Sequence, residues 1–106
     1  MNSFKSKFNI CIALATYNGE SYLKERLDSI QHQTYKNWKC YIRDDGSTDS
    51  TRTIIEEYCF KDSRFIFVNP DNSINLGSHR SFYQIVKSVD ADFYFFLLIK
   101  MIYGKK

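Results

Sequence analysis

Two successive carboxylates, Asp44 and Asp45, followed by Gly46, Ser47, Thr48 and Asp49, are the residues of this chain best suited to chemistry. They follow the apolar run Cys40-Tyr41-Ile42, which reads as a strand, so both acids fall at a strand's carboxyl end. Open α/β sheets bind their ligands at that edge. Neighbouring carboxylates repel and lose hydration when buried, so the pair needs donors or a solvated cleft. A pyrimidine ring N–H, ribose hydroxyls or a metal ion would serve as donors. The same residue types also build ordinary turns and helix caps, and taken alone the stretch leaves the two readings level.

The elements that must position these acids are legible from periodicity. From Phe8 to Ala15, Ile10, Ile12 and Leu14 alternate with Cys11, Ala13 and Ala15, so both faces are apolar. That pattern fits a central strand of a parallel sheet covered on both sides. It runs into Thr16-Tyr17-Asn18-Gly19-Glu20, a polar turn predicted at the same edge as Asp44 and Asp45. Tyr22, Leu23, Leu27 and Ile30 recur at helical spacing between Ser21 and Gln33. Trp38 to Arg43 is a second strand, and Thr48 or Asp49 caps a helix reaching Phe60 with Ile54, Ile55 and Tyr58 inward. Phe65 to Val68 is a third strand. The loop Asn69 to Gly77, which holds the only proline, leads to a helix over Ser78 to Ser88 with Phe82, Ile85, Val86 and Val89 inward. Phe93 to Leu98 is an apolar fourth strand. Strand and helix alternate with short connections, the mark of an α/β fold of βαβ units on a mostly parallel sheet. No phosphate-binding glycine-lysine loop or dinucleotide glycine triplet follows the first strand.

Composition sets the limits. A chain of 106 residues makes one domain with a modest core. Its formal net charge of +3, with both signs interspersed, is too mild for nucleic-acid binding. That charge is compatible with loose peripheral attraction to an anionic membrane, though a solvated face explains it better. Cys11, Cys40 and Cys59 lie far apart in apolar segments without metal-ligand spacing, and read as small buried hydrophobes in a reducing compartment. The polar stretch Met1 to Lys7 has no signal-peptide run, and the apolar stretch Phe93 to Ile99, broken by Lys100, is far short of a membrane span. A cytoplasmic protein is expected. His32 and His79 have no partners at meaningful spacing and read as surface residues.

Several motifs in order resemble family 2 glycosyltransferases. They are Ala15-Thr16-Tyr17-Asn18-Gly19, Tyr22-Leu23, Leu27-Asp28-Ser29-Ile30, Gln33-Thr34-Tyr35, Asp44-Asp45-Gly46-Ser47-Thr48-Asp49, and Asn75-Leu76-Gly77 ahead of a helix with Phe82. The last fits rhamnosyltransferase-like members. The resemblance covers residues 8–97 and implies a truncated GT-A (Rossmann-like) half-domain, the part that binds the nucleotide of an activated sugar, of UDP or dTDP type. It implies that Tyr17 and the backbone around Ala15 and Thr16 line the base pocket, and that Asp45, with Asp44 beside it, accepts the pyrimidine ring N–H. Arg80 is a weaker candidate for the diphosphate, its alternative being a solvated helix charge. The family reaction is inverting transfer to a glycan or lipid-linked acceptor in envelope polysaccharide synthesis, with a divalent cation (Mg or Mn) on the leaving diphosphate and a carboxylate base on the acceptor.

In place of the family's aspartate-rich metal motif, the chain reads Leu98-Ile99-Lys100-Met101-Ile102-Tyr103-Gly104-Lys105-Lys106. Codons for this atypical stretch, read two bases later, can spell Asp-Gln-Asp-Asp-Ile-Trp-Glu-Glu, the missing motif. A frameshifted tail on a partial domain is therefore expected, without metal ligands or base, and with weak nucleotide binding at best and no turnover. Two alternatives stand beside it: a non-catalytic α/β regulatory or interaction module with Asp44 and Asp45 as an acidic switch, and completion of the fold by a separate chain.

Overall fold

A computed structural model describes residues 8–100; Met101 to Lys106, most of the atypical tail, lie outside them. The elements run β1 (Ile10–Tyr17), α1 (Glu20–Gln31), β2 (Trp38–Asp44), α2 (Thr51–Lys61), β3 (Phe65–Phe67), α3 (Ser78–Val86) and β4 (Phe93–Lys100). The four strands form one sheet in the order β3-β2-β1-β4, every pairing parallel. The fold is α/β, as the alternation predicts.

Helices α1 and α2 cover one face. Ile12 and Leu14 of β1 and Cys40 and Ile42 of β2 meet Leu23, Leu27 and Ile30 of α1 and Ile55 and Tyr58 of α2 in a single buried cluster. Helix α3 packs on the other face, with Ser81 and Ile85 buried and the Phe82 ring edge-on to Phe96, centroids 5.3 Å apart. The chain thus winds outward from β1 to β3, then returns across the sheet to place β4 on β1's other side. The strand order reverses between β1 and β4, and α/β crevices open at such a point.

Several boundaries differ from the sequence expectation, each for a tertiary reason. Thr16 and Tyr17, expected in a turn, continue β1, because β4 pairs with them through Ile99 and Lys100. Strand β4 correspondingly runs two residues past Leu98. Tyr22, expected on the buried stripe, is 61% exposed. Leu23, Leu27 and Ile30 already fill the face that meets the sheet, leaving Tyr22 beside it. Ser50, not Thr48 or Asp49, holds the N-cap position of α2. Helix α3 stops at Val86, with Val86 and Val89 only half-buried. As an edge strand, β4 keeps Phe93, Phe95, Phe96 and Leu98 about half exposed.

The three cysteines are free thiols. Burial pushes the Cys40 thiol far up and Cys11 up to about 11, so both are packing groups and not nucleophiles. No helix among the described residues is long and apolar enough to cross a membrane.

Gly19 marks the tightest point of the carboxyl edge. A Cβ there would lie 2.7 Å from Ile99 Cγ2 and 2.9 Å from Thr16 Oγ1. Gly19→Ala should therefore cost about 1–3 kcal/mol through overpacking. A lower urea midpoint at unchanged denaturant slope would report it.

Candidate functional site

Adjacent residues on a strand point to opposite faces, and this separates the two acids. Asp44 faces α1 and α2; Asp45 faces α3. Each carboxylate has its own arginine. Asp44 is fully buried, and its Oδ2 accepts from Ser47 N at 2.9 Å and from Arg52 Nη1 at 3.2 Å. The Ser47 hydroxyl donates to its Oδ1. The Asn69 side chain completes the setting, accepting from Asp44 N at 3.0 Å and donating to Asp44 O at 2.7 Å, as a neighbouring strand would.

Asp45 is held by a different set of donors. Its Oδ1 accepts from Leu76 N at 2.6 Å, from Arg43 Nη1 at 3.1 Å and from the Ser81 hydroxyl at 3.4 Å. Its Oδ2 accepts from Gly77 N alone, at 3.0 Å. Gly77 turns that amide inward with φ +84°, a conformation that favours glycine. Arg43 is itself buried, and its other prong donates to Ile74 O at 2.9 Å. The loop 69–77 is thereby tied to both acids, Asn69 to Asp44 and residues 74–77 to Arg43 and Asp45.

The two polar turns at the sheet edge brace each other. Asn18, in the left-handed region at φ 48°, donates its amide to Ser47 Oγ at 2.8 Å and accepts from Thr48 N at 2.8 Å. Gly19 N donates to Thr51 Oγ1 at 3.0 Å, and Ser50 N donates to Glu20 Oε1 at 2.9 Å. Asp49 accepts from Thr51 N at 2.9 Å and Glu20 N at 3.3 Å. Burial alone would raise the Asp49 carboxyl, but the hydrogen bonds from the Thr51 hydroxyl and amide and from the Glu20 amide outweigh it and hold it below the usual carboxylate range.

A cavity of about 190 Å³ opens between the carboxyl ends of β1 and β4 and the start of α3. Ala15, Thr16, Tyr17 and Asp45, all singled out from sequence, line it together with Asn75, Gly77, Ser78, Ser81, Leu98 and Lys100. Asp44 is not brought to it, because its side chain lies on the opposite face. Arg80 is exposed and lines no part of it. Thr16 turns its hydroxyl toward Gly19, where the oxygen is buried without a hydrogen-bond partner. His79 is exposed, and His32 caps α1 by donating Nδ1–H to Asp28 O at 2.8 Å. A larger cavity, about 360 Å³, lies across β4 between Leu98, Ile99, Lys100 and the α1 residues Tyr22, Glu25, Arg26 and Ser29. It lacks a buried, fixed acceptor, so the smaller cavity is the stronger candidate. Sequence reasoning missed Arg43, Ser81 and Lys100; Arg43 was within reach, since it shares Asp45's face two residues earlier.

The model of glycosyl transferase family 2 matches residues 11–98. The chain belongs to that family. It is 37% identical over 81 residues to the dTDP-rhamnosyl transferase RfbG of Shigella flexneri, covering 76% of this chain and 28% of that protein. It is 35% identical over 88 residues to the glycosyltransferase GlyA of Streptococcus pneumoniae, covering 78% of this chain and 13% of that one. Against the putative glycosyltransferase EpsH of Bacillus subtilis the identity is 36% over 72 residues, 68% of this chain and 21% of the relative. The chain thus spans less than a third of each of these relatives.

For the divalent cation expected from the family resemblance, the described residues offer no fitting set of ligands. Among the described residues, no group of three His, Cys, Asp or Glu side chains could hold a metal ion. Asp45, the cavity's carboxylate, is already neutralised by Arg43.

Two outcomes follow. Asp44→Asn removes the charge that Arg52 neutralises; since Arg52 remains 24% exposed and can turn to water, the expected loss is about 2–3 kcal/mol, below that of a fully buried pair, measured by urea unfolding. Asp49, depressed in the folded state, contributes stability that is present above its unfolded pKa of about 3.9 and lost as pH falls through its lower folded value. Asp49→Asn should therefore cost roughly 1 kcal/mol near neutrality and much less at about pH 3, visible as a shallower acid limb of the stability profile.

Proposed function

We propose that this chain is the donor-nucleotide half of a glycosyltransferase and binds the pyrimidine nucleoside of a nucleoside diphosphate sugar, of UDP or dTDP type. The observation that carries the reading is the free acceptor direction of Asp45. Three donors saturate Oδ1, while Oδ2 takes only the Gly77 amide and retains a lone pair in the cavity at the β1–β4 crevice. A ring N–H of uracil or thymine supplies the donor that this oxygen lacks. Tyr17 and the backbone of Ala15 and Thr16 form the adjoining wall. A cavity of about 190 Å³ accommodates a base and not a whole nucleotide sugar, so the sugar and diphosphate would lie outward.

The relevant transfer is inverting: an acceptor hydroxyl displaces the diphosphate from the anomeric carbon while a base removes its proton. Asp44 and Asp45 are engaged by arginines, and Asp49 and Glu20 by the amides of the turns, so none of these acids is free to be that base. This chain alone therefore binds donor without turning it over, and has its place in cytoplasmic, envelope-polysaccharide synthesis through a longer protein of the same family. Rhamnosyl or other hexosyl transfer accords with the name of the Shigella relative.

The test uses a ligand change and leaves the fold untouched. Uridine or thymidine should stabilise the chain thermally, and the N3-methylated analogue, which lacks the ring N–H, should bind at least about tenfold more weakly, the expected penalty for leaving a buried acceptor unpaired. Equal binding of the two would defeat the role of Asp45. Indifference to every nucleoside would leave the non-catalytic α/β module as the reading.

A further inference from the structure

Lys100 stands where a metal-dependent site needs negative charge. It is the last described residue of β4, paired in register with Tyr17 of β1, so it lies at the sheet's carboxyl edge beside the wall of the candidate base pocket. It is the residue, with Leu98, shared by the smaller cavity and the larger one across β4, so it stands at the rim between them. Its side chain is exposed and forms no ion pair among the described residues. Asp45, by contrast, arrives at the same cavity already neutralised by Arg43, so the ammonium is the uncompensated charge there.

Resting on the nucleoside reading above, we propose that Lys100 replaces the divalent cation in ground-state binding: its ammonium meets the ligand's diphosphate, and diphosphate binding to this chain requires no metal. A divalent ion needs several anionic or carbonyl oxygens around it, and a lysine at the rim would repel it. A diphosphate needs the opposite, a cation with rotatable donors, which an ammonium on a flexible stem supplies. Ser78, lining the same cavity, adds a neutral hydroxyl without competing negative charge. No bond is made or broken; the ammonium does not bridge and activate a leaving group as a divalent ion can, so the exchange favours binding over transfer.

Calorimetric titration of the 106-residue chain with uridine, thymidine, UDP and dTDP, each with magnesium and with EDTA, tests the inference. The diphosphate should bind about tenfold more tightly than its own nucleoside. EDTA should leave that ratio unchanged, Lys100→Gln should bring it close to one, and Lys100→Arg should preserve it. A ratio that appears only with magnesium, or survives in Lys100→Gln, overturns the metal-free role while nucleoside binding still stands. If neither nucleoside nor diphosphate binds, the nucleotide reading fails and this inference fails with it.

Discussion

The structure depends on two neighbouring carboxylates being sent to opposite faces of the sheet, each to its own arginine. A strand does this at no conformational cost, because its pleat sends Asp44 to one face and Asp45 to the other. Each acid then recruits a cation and a set of amides from its own side. Asp44 gathers Ser47, Arg52 and Asn69; Asp45 gathers Arg43, Ser81 and the Leu76 and Gly77 amides. The loop 69–77 has no regular secondary structure of its own. Its course is set by what it brings to these two acids.

Much of the fold was legible because its determinants are local or periodic. Two-sided apolarity from Ile10 to Ala15 placed β1 in the sheet's interior, and the helical spacing of Leu23, Leu27 and Ile30 found the face of α1. Errors arose where a distant partner decided the outcome. Thr16 and Tyr17 look like a turn until β4 arrives to pair with them, eighty-three residues along the chain from Tyr17 to Lys100. Tyr22 has helical spacing in its favour, but helix rotation relative to the sheet is fixed by Leu23 and Leu27, and a sequence window cannot rank such competitors.

The candidate site was legible in outline and misread in detail. The stretches Thr16 to Glu20 and Asp44 to Thr51, strand ends and turns together, do meet at one sheet edge, yet many of their polar groups are spent on each other. Asn18, Gly19, Ser47, Thr48, Asp49 and Thr51 form the brace that holds β1's exit against β2's exit. Residue type alone cannot separate a hydroxyl that will meet a ligand from one that will meet a neighbouring amide. Strand parity can separate the acids: Asp45 shares a face with Arg43, and Asp44 with Ile42. Arg80 fell outside the cavity because its position on α3 leaves it on the exposed side, whereas Ser78 and Ser81 turn inward.

Saturating Asp45 from within would seem to spend the acid that a ligand needs, but physical chemistry favours the opposite conclusion. An unrestrained carboxylate at a cavity wall rotates, hydrates and accepts from almost any donor, so it discriminates poorly and loses entropy on binding. With Oδ1 fixed by an amide, a guanidinium and a hydroxyl, rotation about the carboxyl bond is blocked and only one lone-pair direction on Oδ2 remains. The ordering is done during folding and not during binding, which is how a preorganised site converts a single hydrogen bond into selectivity. On the proposed nucleoside reading, recognition would therefore be built into the same contacts that close the loop onto the sheet. A substitution at Arg43 would loosen the loop and the Asp45 carboxylate together.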